Sequence, residues 1–251
     1  MLLFQEPAPT RYDLNFNLAG FPVRVHPLFW LIALISGAGS GSLPDLLVWV
    51  VAVFVSLLAH ELGHALANRL FGRPSHLVLY FGGGLTVPES LAWGYGRADT
   101  LLTANQEMIV SLSGPAANLL LIGLVLAGVA ATGGSVGVTL LFGLLPFPLV
   151  GLPYGGTFAL GVVWAFLWIN LFWGAVNLMP VYPLDGGQVA RHLWVKLDPW
   201  DGTRKSLWLS VAAGALVALA GLALMHSLYL ALLFGLLAFQ SYQALQGRSA
   251  L

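Results

Sequence analysis

The sequence predicts an all-α polytopic membrane protein, with six transmembrane helices and small β-hairpins at the cytoplasmic face. Three observations predict it. Of 251 residues, 58% are hydrophobic and only 8% charged, against about a quarter charged in soluble domains. No Asp, Glu, Lys or Arg falls between Glu107 and Asp185, or between Lys205 and Arg248; uncharged apolar tracts of that length read as several membrane helices of about 20 residues each. With six spans, all ten basic residues, from Arg11 to Arg248, fall on one side. The bias of Lys and Arg towards cytoplasmic loops makes that side the inner one, with both termini cytoplasmic.

The elements follow in order. Residues 12–25 alternate loosely (Leu14, Phe16, Leu18, then Val23 and Val25) around Ala19-Gly20, a hairpin signal. The first residues, MLLFQEPAPTRYDLN, have no basic n-region before a short apolar run, so insertion is expected to rely on the first internal helix. Spans are expected near 27–43 and 46–67. Residues 76–87 place LVLY and LTV around Gly82-Gly83-Gly84, which predicts a second hairpin or a small sheet, with an irregular glycine loop as the alternative. Spans near 108–132 and 158–179 follow. The apolar stretch 138–150 is short and punctuated by Pro146, Pro148 and Pro153, so it reads as a re-entrant or surface segment. As a seventh span it would carry five of the ten basic residues to the outer face and abolish the charge bias. The tract from Leu207 to Tyr242 is too long for one crossing and is broken at Met225, His226 and Ser227, giving spans near 207–224 and 227–245. The whole reads as one membrane-embedded domain over 1–251: an N-terminal hairpin in 1–26, a core over 27–200 with its hairpin at 75–88, and a C-terminal helical pair over 205–246.

Composition excludes several functions. Ten basic and ten acidic residues give a formal net charge of zero, so no cationic surface is available for nucleic acid. With no cysteine, disulfides, thiol catalysis and thiolate metal sites are ruled out, and His, Asp and Glu remain as metal ligands.

The chemistry is concentrated in HELGH, residues 60–64, inside the second apolar span. On a helix, His60 and His64 share a face, so both imidazoles can bind one metal while Glu61 reaches a metal-bound water. Ionisable groups at membrane depth mark functional sites by default; the bland alternative is a polar contact between helices. A hydrolytic zinc site takes three protein ligands and keeps a fourth position open. Asp185 is the candidate third ligand, in NLMPVYPLDGG, where Pro180 and Pro183 end the fourth span and Gly186-Gly187 allow a turn back into the bundle. Topology agrees: the second and fourth spans run in the same direction and deliver both motifs to the inner side. His60 lies nine residues before Arg69, so the motif sits about 13 Å below the inner boundary.

Through HELGH, FGGG (81–84), SGPAAN (113–118) and NLMPVYPLDGG (177–187), the chain resembles the site-2 protease family of intramembrane zinc metalloproteases, in a compact form without PDZ or CBS domains. The resemblance covers roughly residues 10–200. It implies one Zn2+ held by His60, His64 and Asp185, water activation by Glu61, and a substrate contact from Asn177. The implied reaction is hydrolysis of peptide bonds in or near transmembrane segments of membrane-anchored proteins, within the lipid bilayer. A transmembrane helix must be held extended to be cut, and an edge strand in the 76–87 hairpin would serve by strand addition, with a purely structural hairpin as the alternative. That adds Gly82, Gly83 and Gly84 to the expected substrate-binding residues.

The remaining polar residues have structural readings. Asn118 and Asn170 read as helix-packing contacts, and His26 and His76 as interfacial. His192 and His226 lie away from the motifs, and the nine Trp read as anchors and packing. A catalytically silent metal-binding scaffold is the competing function. A metal transporter is disfavoured, because the last four spans carry almost no ionisable residue to line a pathway. Oligomeric state is left open.

Overall fold

The computed structural model describes residues 6–89, 101–141, 145–224 and 226–247. Arg97 and Arg248, used above to orient the chain, and Met225 of the expected break lie outside the described residues. In chain order the elements are β1 (Leu14–Leu18), β2 (Phe21–Val25), α1 (Pro27–Ser36), α2 (Leu43–Leu70), β3 (Ser75–Tyr80), β4 (Gly83–Pro88), α3 (Ala104–Ala131), β5 (Ser135–Leu141), β6 (Leu145–Gly151), α4 (Gly156–Asn177), α5 (Asp185–Leu197), α6 (Gly202–Ala223) and α7 (Leu228–Leu245).

Among the described residues, five helices, α2, α3, α4, α6 and α7, are long and apolar enough to cross a membrane. Their starts are written in the sequence. The Ser42 side chain accepts the Asp45 N–H at the head of α2, Thr103 and Gln106 form a capping box at α3, and Ser227 caps α7. The expected first span, 27–43, differs: α1 has only ten residues, about 15 Å of helix. It starts at Pro27 and is stopped at Gly37, where the chain enters the glycine- and serine-rich run 37–42.

The two expected hairpins merge. Strand order is β1-β2-β3-β4, with β2 and β3 parallel and the other neighbours antiparallel. Ala19 and Gly20 take positive φ, 52° and 85°, the backbone a two-residue hairpin turn requires. The sheet packs on α2 through Phe21, Val25, Leu77 and Leu79, joined by Phe29 of α1 and Leu57 of α2. Its edge strand β4 lies beside the middle of α2.

The described residues of the stretch 138–150, namely 138–141 and 145–150, fall in an antiparallel pair, β5 with β6. Pro146 and Pro148 read as breakers of helix, yet both sit in β6. A proline fits a two-stranded ladder wherever its missing N–H would point off the edge. Phe147 of this hairpin meets Trp168 of α4 edge-on, with ring centroids 5.8 Å apart. The sequence also gave no warning of α5: Asp185 opens a 13-residue helix rather than occupying a loose turn.

Candidate metal centre

Helix α2 carries His60, Glu61 and His64 into the interior, where they are 2%, 4% and 8% exposed. The helical repeat puts the two imidazoles side by side, with Nε2 atoms 3.2 Å apart. The chain turns after α4, and α5 begins with Asp185 facing them: Oδ2 lies 3.1 Å from His60 Nε2 and Oδ1 3.3 Å from His64 Nε2. One ligand atom from each of the three falls within 4.8 Å of the others.

The donor set fits a cation. His64 Nδ1 lies 2.7 Å from the Val110 carbonyl oxygen, which only accepts, so the ring hydrogen sits on Nδ1 and the Nε2 lone pair faces Asp185. His60 Nδ1 is likewise engaged, 2.6 Å from Asn118 Oδ1. Asp185 Oδ2 is buried without a hydrogen-bond partner. Acceptors converging with no donor between them leave a buried polar atom unsatisfied, and a divalent cation among them removes that penalty.

Glu61 stands next to the cluster, and β4 presses on it. The Thr86 hydroxyl lies 2.8 Å from Glu61 Oε2 and 2.9 Å from the Glu61 carbonyl oxygen, and it donates to either. Gly84, two residues earlier and on the same face of β4, packs its backbone against the Glu61 carboxylate; a Cβ there would collide with Oε1 and Cγ. Gly114 of α3 does the same for the imidazoles, since a Cβ would strike the Nε2 atoms of both His60 and His64. Gly84 of FGGG and Gly114 of SGPAAN are therefore spaces kept open for Glu61 and for the two imidazoles.

These groups line a cavity of about 1040 Å³. Of the residues expected to bind substrate, Asn177, Gly82 and Gly84 line it, whereas Gly83 packs against Trp173 instead. Asn177, the last residue of α4, donates from Nδ2 to the Trp173 carbonyl at 3.0 Å. The cavity also takes in Thr86, Arg73, Glu107, Gln188 and His192, none of them singled out by the motifs. Arg73 and Glu107 form a two-pronged ion pair, at 2.7 and 3.1 Å. His192 reads as remote in sequence, but it lies seven residues after Asp185, two turns along α5 on the same face. Burial pushes its imidazole below the ordinary value; Glu107 opposes that, while Arg191 and Arg73 add to it. Among the other histidines, His26 caps α1 through the Leu28 N–H, and His76 lies 3.3 Å from Glu6.

Comparison with known proteins places this geometry in a family. The model of peptidase family M50 matches residues 48–220. The putative zinc metalloprotease Rip3 of Mycobacterium tuberculosis is 31% identical over 224 residues, which cover 83% of this chain and 49% of that protein. Zinc metalloprotease MJ0392 of Methanocaldococcus jannaschii is 25% identical over 226 residues, covering 88% and 53%. The chain thus spans about half the length of the curated relatives it matches. Among solved structures, the site-2 protease from Methanocaldococcus jannaschii shares the fold, with a TM-score of 0.55 at 21% identity over 96% of this chain and 97% of that one. With its family model matched across most of its length, and HELGH and LDGG meeting at one centre, this chain belongs to peptidase family M50.

Proposed function

We propose that the chain is an intramembrane zinc endopeptidase, hydrolysing peptide bonds in or near transmembrane segments of membrane-anchored proteins. One observation carries the reading: a carboxylate, Glu61, is buried beside three converging acceptors in a cavity flanked by membrane helices. The names of the relatives point the same way. His60, His64 and Asp185 would hold one Zn2+, a set of two imidazoles and one carboxylate that leaves a position open. Bound there, zinc would supply Lewis acidity towards the scissile carbonyl and acidify water.

The chain's own residues account for the proton. Glu61 takes a proton from the water that attacks the carbonyl carbon, then delivers it to the nitrogen as the C–N bond breaks, leaving a carboxylate and an amine. Thr86 Oγ1, 2.8 Å from Oε2, and the Gly84 backbone, packed against Oε1, hold the Glu61 carboxylate in place beside the centre. Asn177, which lines the cavity, would donate to substrate. The edge of β4, unpaired among the described residues, would hold the substrate extended, because a peptide bonded to a strand edge cannot also keep its helical hydrogen bonds. Gly82 and Gly84 leave that edge without side-chain bulk.

The topology proposed with it keeps six crossings, both termini in the cytoplasm and the centre near the cytoplasmic side. The position of His60 nine residues before Arg69 on α2 supports a short aqueous route to the centre.

The test compares wild type with Glu61→Gln in liposomes containing single-pass substrate segments. Cleavage is expected to fall by about 10²- to 10⁴-fold while zinc content stays equal. Equal cleavage by both removes Glu61 from the mechanism and favours a metal-binding scaffold.

A further inference from the structure

We propose that Asn118 is a positioning residue for His60, holding its imidazole in the one tautomer and orientation that turn Nε2 towards the metal. The proposal rests on the metal-centre reading and extends it to a buried amide relay through three helices.

The relay can be read from its far end. Asn170 of α4 approaches the Phe166 carbonyl oxygen at 2.8 Å, and a carbonyl only accepts, so the Asn170 NH2 points there. The same NH2 donates to Ser56 Oγ at 2.8 Å. Asn170 Oδ1 must then face Asn118, whose Nδ2 donates to it at 2.7 Å. A second carbonyl agrees, since Asn118 Nδ2 is also 3.4 Å from the Ser56 backbone oxygen. Asn118 therefore presents Oδ1 to His60 Nδ1 at 2.6 Å. An amide oxygen cannot donate, so His60 carries its hydrogen on Nδ1 and its lone pair on Nε2. Asn118 and Asn170 are each 1% exposed and Ser56 is 0% exposed, so both amides are shielded from bulk solvent.

His64 needs no such relay, because a backbone carbonyl, that of Val110, fixes its tautomer directly. His60 is the ligand whose orientation depends on side chains. The packing reading of Asn118 and Asn170 is thus incomplete: both do join helices, but the joint ends on a metal-facing ring. Hydrogen-bond partners of this kind typically set metal affinity by about 10- to 100-fold.

The experiment measures zinc affinity by chelator competition on the full chain in nanodiscs, for wild type, Asn118→Leu, Asn118→Asp and Asn170→Leu. Asn118→Leu keeps the volume but removes the acceptor, and is expected to weaken zinc binding by about 10- to 100-fold. Asn118→Asp keeps an oxygen towards His60 and is expected to stay within a few-fold of wild type. Asn170→Leu frees the Asn118 amide to turn over and should fall between the two. A merely structural role predicts no such difference, with Asp as harmful as Leu. If Asn118→Leu fails to fold, the order wild type, Asn118→Asp, Asn170→Leu still decides. Equal affinity across the folded variants, or equal loss in Asn118→Asp and Asn170→Leu, overturns the proposal. A wild-type chain that takes up no zinc overturns the metal-centre reading itself, and this one with it.

Discussion

Arg24 is pinned between two carboxylates before the first helix: Asp13 Oδ2 lies 3.0 Å from Nη1 and Glu6 Oε1 2.7 Å from Nη2. Burial alone would raise the Asp13 carboxyl. The hydrogen bonds from the Thr10 side chain and backbone, together with Arg24, outweigh that and hold it down at about 2, from an ordinary 3.8. A lowered carboxyl stabilises the fold above its ordinary value, and that contribution is lost as pH falls from 3.8 towards about 2. Hydrogen exchange across residues 14–25, corrected for intrinsic rate, should show protection falling through that window in wild type. Asp13→Asn should be less protected already at neutral pH and lack this step; an identical acid limb in both would contradict the assignment. At the same scale, HELGH and Asp185 were legible because their spacing is a property of one helix plus one turn. Gly84, Thr86, Gly114 and Asn118 were not. Their roles depend on how far β4 and α3 approach α2 and how each is rotated about its axis, and no periodicity within a single segment encodes that.

Among the elements, the long helices were legible to within a few residues, because an uncharged apolar run bounded by Ser, Thr or Gly has few alternatives at membrane depth. Two elements escaped. Helix α5 was hidden by the prolines and glycines around Asp185, which suggest a turn; Val181, in the segment before it, is fully buried against Phe234 and Leu237 of α7. The β5–β6 hairpin was hidden by Pro146 and Pro148, and its placement now bears on the choice between surface and re-entrant. Trp168, which Phe147 touches, lies twelve residues from the start of α4, about 18 Å along it. A hairpin docked that far down α4 is expected to lie within the outer leaflet. Val136, Val138 and Leu140, 46%, 70% and 59% exposed, share one face by the period of two and would meet acyl chains. The absence of cysteine makes labelling clean. In reconstituted protein, Val138→Cys should resist a membrane-impermeant maleimide that labels Tyr154→Cys, whose native side chain is 80% exposed in the loop before α4. Equal labelling would place the hairpin in water.

For the whole molecule, the decisive question is how a ten-residue α1 can serve as a first crossing. Strand β3 leaves the end of α2 and runs back along it. Beyond its end, the modest reach of Gly83 to Leu57 marks how far the sheet has come, with Leu57 thirteen residues before Leu70, or about 20 Å. Strand β2 lies parallel to β3, and the His26 N–H donates to the Leu79 carbonyl at 2.8 Å, so α1 starts at that same depth. Its own length adds about 15 Å, and the sum exceeds the roughly 30 Å of hydrocarbon. A crossing made partly of strand is tolerable only where protein covers the backbone. Here Val23, Val25, Leu77 and Leu79 are at most 2% exposed against α2. The expected consequence is six crossings, with Tyr12 and the 37–42 loop on opposite sides. In intact cells, an impermeant reagent should label Gly39→Cys, where a side chain meets nothing within 4 Å. Tyr12→Cys, at a site 68% exposed, and Gln246→Cys should react only after permeabilisation. If α1 instead turned back without crossing, Tyr12→Cys and Gly39→Cys would label together. The sheet that brings Thr86 to Glu61 would then have to lie outside the bilayer, away from any transmembrane substrate.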